Sequence, residues 1–408
     1  MRGFISRFVA ALAAFTALGD VVFAAPATSN SGQSGSARYI VMLKDGASLK
    51  THKTWVDGQR AKLSKSNAKS QLQVTNDYDV LNGYSANLTA DALADLSSNP
   101  DVAMVVPDVP CSGDLTQTDA PWGIARVSRK TRLPIGSSVN NVNYIFNRKP
   151  SGSGVDVYVI DTGVNTAHVD FGGRARWGAT FGGYQNRDGH GHGTHIAGTI
   201  AGKRYGVAKA ASIIAVKVLN DDNRGSMSDV IAGVNWATRQ ALASGRPSVL
   251  SISIGSDEPH LPTDQAVNNA VKLGMHVVVS AGNKNVDCKN QSPARAQDVI
   301  TVGATNINDA RWVWSATSGS NFGPGVDIFA PGEYITSTWI GSTTATNRIT
   351  GTSMATPHVS GLIAYLLAVE GRRTPANMRV RLKQLAPDGI LTGIPAGTGN
   401  EIIWNGGA

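Results

Sequence analysis

Cysteine is nearly absent: Cys111 and Cys288 are the only two among 408 residues. A framework of several disulfides is therefore excluded, and stability has to come from a packed core. Charge is sparse as well, at 16% of residues, which argues against a coiled coil or a disordered chain. Although the net charge is +8, the Lys and Arg residues are scattered singly, with no basic run interleaved with aromatics. That pattern reads as general solubility, and no nucleic-acid partner is expected. Beyond residue 25 no stretch is long and apolar enough to cross a bilayer, so no membrane association is expected.

Glycine, by contrast, is abundant at 45 residues, which suits a compact enzyme with many tight turns. The length allows a large domain and a smaller one. Residues 1–25 carry Arg2 and Arg7, an apolar stretch from Phe8 to Leu18 and the small-residue exit Val22-Phe23-Ala24-Ala25. This is the arrangement of a cleavable signal peptide, so an extracellular protein is expected. A flexible Ser/Gly/Asn-rich connector, Pro26 to Ala37, follows. The tripeptides Asn87-Leu88-Thr89 and Asn290-Gln291-Ser292 are glycosylation sequons compatible with export.

Tyr39–Leu43 reads as a strand, Lys50–Gln71 as a polar helix, Ala90–Ser97 as a short amphipathic helix and Val102–Val106 as a strand. Together they describe a small α+β unit over 26–113. From 114 to 408 the pattern changes. Apolar strands are predicted at Val155–Ile160, Ile213–Leu219, Val249–Ile254, His276–Ser280 and Val299–Val302, with helices such as Ser228–Ala243 and Asp264–Leu273 between them. Near-continuous apolar strands crossed over by helices predict an α/β domain with a doubly wound, mostly parallel sheet. Sites in such sheets gather beyond the strands' C-terminal ends.

Chemistry-bearing residues fall at those ends. Asp161 closes the strand Val157-Tyr158-Val159-Ile160, where a carboxylate can hold an imidazole in one tautomer. In Asp188-Gly189-His190-Gly191-His192-Gly193-Thr194-His195 a histidine at a helix start can face Asp161 on one side and a nucleophile on the other. Three histidines compete there, and spacing alone does not choose among them. Zinc is the rival reading of a His-rich stretch, but no Glu stands between two His at i, i+4 spacing. Ser353, in Gly351-Thr352-Ser353-Met354-Ala355-Thr356-Pro357-His358, lies ahead of an apolar helix. The free amides of a helix N-terminus favour a developing oxyanion, and Pro357 is placed in the first turn. Asn283, in Ser280-Ala281-Gly282-Asn283, ends another strand with an amide able to donate to that oxyanion.

These motifs resemble the subtilisin-like serine proteases, and the proteinase K branch in particular, from Ala120-Pro121-Trp122-Gly123 to Ile394-Pro395. The resemblance implies a triad of Asp161, His192 and Ser353, with Asn283 as oxyanion donor and His195 in a structural role. Ile196 stands where some relatives carry a cysteine, so thiol sensitivity is not expected. Arg38-Tyr39-Ile40-Val41-Met42-Leu43-Lys44 and Asn99-Pro100-Asp101-Val102 are similar to the family's inhibitory propeptide. By the same likeness an extended peptide substrate lies between Gly225-Ser226-Met227 and Ser253-Ile254-Gly255, and the side chain before the scissile bond enters a pocket of Ser253 to Ser256 and Ala281, Gly282 and Asn283. No charge stands in those positions, so apolar or aromatic substrate residues are expected there. No cofactor is implied for the chemistry. A structural calcium ion is implied at Asp327 with the carbonyls of Gln297 and Val299, although Gln297 departs from the family's usual proline.

The expectation is a secreted zymogen, cleaved between about Asp108 and Thr116, whose mature form is a monomeric endopeptidase of broad specificity. Its partners are protein and peptide substrates and its own propeptide. Cys111 and Cys288 can pair only if that cleavage leaves Cys111 on the enzyme; two unpaired buried thiols are the alternative. A selective processing protease would need acidic residues in the cleft to read basic substrates. An inactive binding relative would need a missing catalytic group, and none is missing.

Overall fold

The computed structural model describes residues 36–66, 70–108, 114–134, 136, 140–147 and 151–407. The expected signal peptide, Cys111 and most of the expected cleavage segment lie outside them. The chain divides into two compact units between Cys111 and Ser112.

The N-terminal unit contains β1 (Ala37–Leu43), α1 (Leu49–Ser66), β2 (Leu72–Tyr78), β3 (Gly83–Leu88), α2 (Ala90–Ser97) and β4 (Val102–Pro107). Its four strands form an antiparallel sheet in the order β2-β3-β1-β4. Val41, Tyr84, Ala86 and Leu88 from the sheet close a small core with Val56 of α1 and Leu96 of α2. The helix expected over 50–71 ends by Ser66, and neither β2 nor β3 was foreseen. Leu72-Gln73-Val74-Thr75-Asn76-Asp77-Tyr78 is largely exposed and polar, so period-2 alternation barely registers in it.

The large unit is built on a seven-stranded sheet. Its chain order is β5 (Asp156–Asp161), β6 (Ala175–Thr180), α3 (His192–Ala201), β7 (Ser212–Lys217), α4 (Met227–Ser244), β8 (Ser248–Ile252), α5 (Leu261–Lys272), β9 (His276–Ser280), β10 (Ile300–Thr305), β11 (Ile328–Pro331), α6 (Thr352–Val369) and α7 (Pro375–Leu385). Across the sheet the order is β11-β10-β9-β8-β5-β7-β6, all parallel. Alternate side chains feed opposite faces. Val157 and Val159 pack with α3 and α6 on one side, whereas Tyr158 and Ile160 pack with α4 and α5 on the other. That two-sided burial is why the strand sequences are apolar at nearly every position. The sheet order reverses at β5, with β7 on one flank and β8 on the other, which opens a crevice at the C-terminal end of β5.

Two edge strands escaped the sequence reading. β6 carries Arg176 and Gly178 and is mostly half-exposed, and β11 has only four residues. Among the described residues, α6 is the one helix apolar and long enough to cross a membrane, but 83% of it is buried. It is the central helix of the larger core. Cys288 is a free, fully buried thiol whose pKa burial pushes up to about 12.

Candidate active site

Asp161 ends β5 with its carboxylate fully buried. Its Oδ1 accepts from the Thr162 amide at 2.8 Å and faces His192 Nδ1 at 2.8 Å. That pairing requires Nδ1 to carry the hydrogen, which leaves Nε2 of a neutral ring as a base. Burial by itself lowers the His192 pKa, but the charge and hydrogen bond of Asp161, with the charge of Asp188, overcome it and raise the value above 6.5.

His192 is the first residue of α3, and the turn before it is organised by Asp188. Asp188 Oδ1 accepts from the amides of His190 and Gly191, and Oδ2 from the amide and hydroxyl of Thr194. Gly191 caps the helix at φ +101°, a conformation that side chains disfavour. At Gly193 a β-carbon would lie 2.1 Å from the Gly163 carbonyl, so only glycine lets α3 approach β5 closely enough for the pair to form.

The three histidines of this stretch separate cleanly. His195 is buried with Nε2 on the Ile335 carbonyl at 2.9 Å, and desolvation pushes its pKa down to about 3. His190 has its ring 6.2 Å from both His192 and Trp339. His192 alone joins the carboxylate.

Ser353 is the second residue of α6, whose N-cap is Gly351. Pro357 therefore lies inside the helix rather than in its first turn, and its missing N–H leaves the Ser353 carbonyl without its i+4 donor. Ser253 Oγ fills that place at 3.0 Å, while Ser353 Oγ donates to the Ser253 carbonyl at 3.3 Å. No hydrogen bond joins Ser353 to His192, and the Ser353 hydroxyl is engaged by Ser253 instead. Asn283 is held from the same helix end: its Oδ1 accepts from the Thr352 amide and the Thr352 hydroxyl, both at 2.8 Å. With the oxygen so engaged, Nδ2 remains the free donor.

Asn283 and Ser353 line one cavity of about 190 Å³ with Ser253, Gly255, Ser256 and Gly282. Ala281 is buried and Ile254 half-buried outside that lining. The expectation of an uncharged pocket needs amendment, because Asp257 and Lys284 also line it, paired with each other at 2.8 Å. Ser226 is extended and caps α4, which begins at Met227, with Gly225 just before it. Asp188 and Thr352 were not singled out from the sequence. An Asp ahead of a Gly-rich helix start, and a Thr beside Ser353, are the signals that could have found them.

The calcium expectation is corrected by the structure. Asp327 and the carbonyls of Gln297 and Val299 do converge, but on the guanidinium of Arg379. A calcium ion 2.3–2.6 Å from these oxygens would coincide with guanidinium nitrogens, so the group does not fit.

Comparison with known proteins agrees with this geometry. Residues 152–400 match the family model described as Subtilase family, and residues 38–112 match Peptidase inhibitor I9. The chain belongs to the subtilase family. Subtilisin-like protease 8 of Arthroderma otae is 41% identical, over 90% of this chain and 81% of that protein. Alkaline protease 2 of Aspergillus fumigatus is 40% identical, again over 90% and 81%. Among solved structures, a cold adapted subtilisin-like serine proteinase superposes with a TM-score of 0.63 at 39% identity, covering 70% of this chain and 98% of that one. This subtilase is accordingly a serine endopeptidase with an inhibitor-type propeptide, acting on protein substrates, and it needs no cofactor for catalysis.

Proposed function

We propose that the chain is a secreted zymogen whose mature enzyme cleaves peptide bonds through an acyl-enzyme on Ser353. The observation that carries this reading is the 2.8 Å pairing of His192 Nδ1 with the buried carboxylate of Asp161 at the start of α3, a helix that shares one core with α6, whose N-terminus carries Ser353. In the proposed reaction the Ser353 hydroxyl attacks the substrate carbonyl carbon while His192 Nε2 takes its proton. The oxyanion is met by Asn283 Nδ2 and the helix-end amides. His192 then returns the proton to the leaving amine, and water repeats the sequence to release the acid.

Broad specificity for apolar or aromatic residues is supported by the small side chains of the cavity and by the mutual neutralisation of Asp257 and Lys284 at its edge. A pocket reading basic residues would leave an acidic group unpaired, which favours the broad protease over a selective processing enzyme. Secretion rests on residues 1–25, and self-processing between about Asp108 and Thr116 rests on the propeptide match.

The deciding experiment replaces Ser353 with alanine. Turnover of an unstructured protein substrate is expected to fall about a million-fold, labelling by a fluorophosphonate to vanish, and full-length precursor to accumulate. Near-normal turnover would refute the assignment of the nucleophile, and normal processing would assign maturation to another protease.

A further inference from the structure

Asp327 is nearly buried, its side chain 11% exposed, at the junction of β10, β11 and α7. Its Oδ2 accepts from the Thr301 amide at 2.9 Å, and an anion in that position requires a cation beside it. Arg379 supplies one from the middle of α7, next to Met378, which is fully buried in the core. Nε donates to Asp327 Oδ1 at 2.8 Å and Nη2 to Oδ2 at 2.9 Å, the parallel two-bond fork that a guanidinium and a carboxylate form. The same group turns outward to two carbonyls, Nη1 to Gln297 at 3.0 Å and Nη2 to Val299 at 2.8 Å. All four acceptors are hard oxygens of the kind that hold a calcium ion.

We infer that Arg379 is a resident organic cation that replaces a metal ion at this junction, so that the attachment of α7 to the sheet is independent of calcium. A metal ion here would be lost to chelators and would bind with a concentration-dependent gain in stability. A covalently tethered guanidinium cannot dissociate. The converse also holds: removing the guanidinium leaves one carboxylate and two carbonyls facing the same point, with room for water, which is the raw material of a divalent-cation site.

The test uses the full chain carrying Ser353→Ala, which removes self-digestion, as the parent. Thermal midpoints are measured by calorimetry in excess chelator and in millimolar calcium, for the parent, for Arg379→Ala and for Arg379→Ala combined with Asp327→Asn. In chelator the Arg379→Ala chain is expected to melt about 5 °C or more below the parent. Calcium is expected to raise its midpoint by more than it raises that of the parent, and magnesium to do so less. That extra increment is expected to disappear when Asp327 is also replaced. Comparing increments rather than midpoints removes any calcium bound elsewhere. Equal increments in the parent and Arg379→Ala, or an extra increment that survives the loss of Asp327, would overturn the inference. Should the alanine variant fail to fold, Arg379→Gln keeps much of the packing stem without the charge and is read by the same comparison. Because the parent is catalytically dead, these outcomes do not depend on the proposed reaction.

Discussion

Ser253 and Ser353, 100 residues apart in sequence, exchange two hydrogen bonds, each hydroxyl donating to the other's carbonyl. The exchange exists because Pro357 cannot donate to the Ser353 carbonyl as an ordinary helical residue would. It locks the first turn of α6 to the end of β8, and therefore sets where the Ser353 hydroxyl, the proposed nucleophile, starts. Replacing Ser253 with alanine leaves that carbonyl buried without a donor and loosens the turn. We expect kcat to fall about tenfold, equivalent to roughly 1.4 kcal/mol, with a smaller change in KM. Steady-state kinetics on a peptide substrate decides it; unchanged kcat would mean that the exchange is incidental.

In the proposed reaction the pH dependence follows from His192. Desolvation opposes protonation, but Asp161 and Asp188 together hold the imidazolium more strongly than burial expels it, and the pKa stands above 6.5. Only the neutral ring can accept the Ser353 proton, so kcat/KM is expected to rise with pH through that elevated value and to reach its plateau on the alkaline side. Asp188→Asn removes one raising charge while keeping an oxygen for the His190 and Gly191 amides. Its midpoint is expected at lower pH than that of the parent enzyme. A limb centred at or below 6.5 in the parent would contradict this account.

The strands that position the site were legible because both of their faces are buried: β5, β7, β8 and β9 carry apolar runs and are buried at every position but Ser212, and His276–Ser280 was read with its observed ends. The partly exposed strands β2 and β6 carry no such pattern, and β11, though apolar and buried, is only four residues long. At the site, Asp161, His192, Ser353 and Asn283 were visible as residues at strand and helix ends, but the choice among three histidines needed a family likeness. What spacing could not show is how these residues are held. Thr352 on Asn283, Asp188 beneath α3 and Ser253 against Ser353 are all contacts across turns, and their partners are ordinary small polar residues. The calcium expectation failed for a related reason: the group that fills the site, Arg379, comes from a helix far along the chain.

Buried histidines outside the Asp161–His192 pair give the fold an acid limit, and desolvation lowers the pKa of His52 in the N-terminal unit as well. Desolvation pushes His195 down to about 3 and His276 and His358 down to about 4. In the unfolded chain each titrates near 6.5, so as pH falls below that value the unfolded state binds protons that the folded state refuses. Stability is therefore lost on acidification, beginning near 6.5 and continuing toward 4. His192 works in the opposite sense, stabilising the fold below 6.5 and losing that contribution as pH rises through its own raised value, so the two windows do not overlap. Glu370 and Asp221, whose pKa values are lowered, add to acid loss only at still lower pH. Unfolding of the Ser353→Ala chain, followed between pH 6.5 and about 5, should weaken steadily. His276→Gln should make that decline shallower by about one proton; an identical slope would show that His276 does not titrate with unfolding.

Arg126 and Asp309 form the most deeply buried ion pair among the described residues, both side chains at 0% exposure and Nε 2.8 Å from Oδ1. Arg126 also donates to the Arg129 carbonyl at 2.6 Å, and Asp309 sits at φ +59°. Two charges taken out of water are tolerated here because each neutralises the other, with the half-exposed Arg132 a more distant second cation 4.0 Å from Asp309 Oδ2, and this makes removal of one worse than removal of both. Arg126→Met, which keeps the volume, is expected to lower the unfolding free energy by about 3–5 kcal/mol, since it strands the Asp309 carboxylate. Asp309→Asn, chosen because Asn tolerates a positive φ, strands the guanidinium and is expected to cost a similar amount. The double variant strands neither charge, so its loss should fall well below the sum of the two single losses. Denaturant unfolding of the three variants in the Ser353→Ala background measures the coupling, and simple additivity would mean that solvent reaches one of these groups after all.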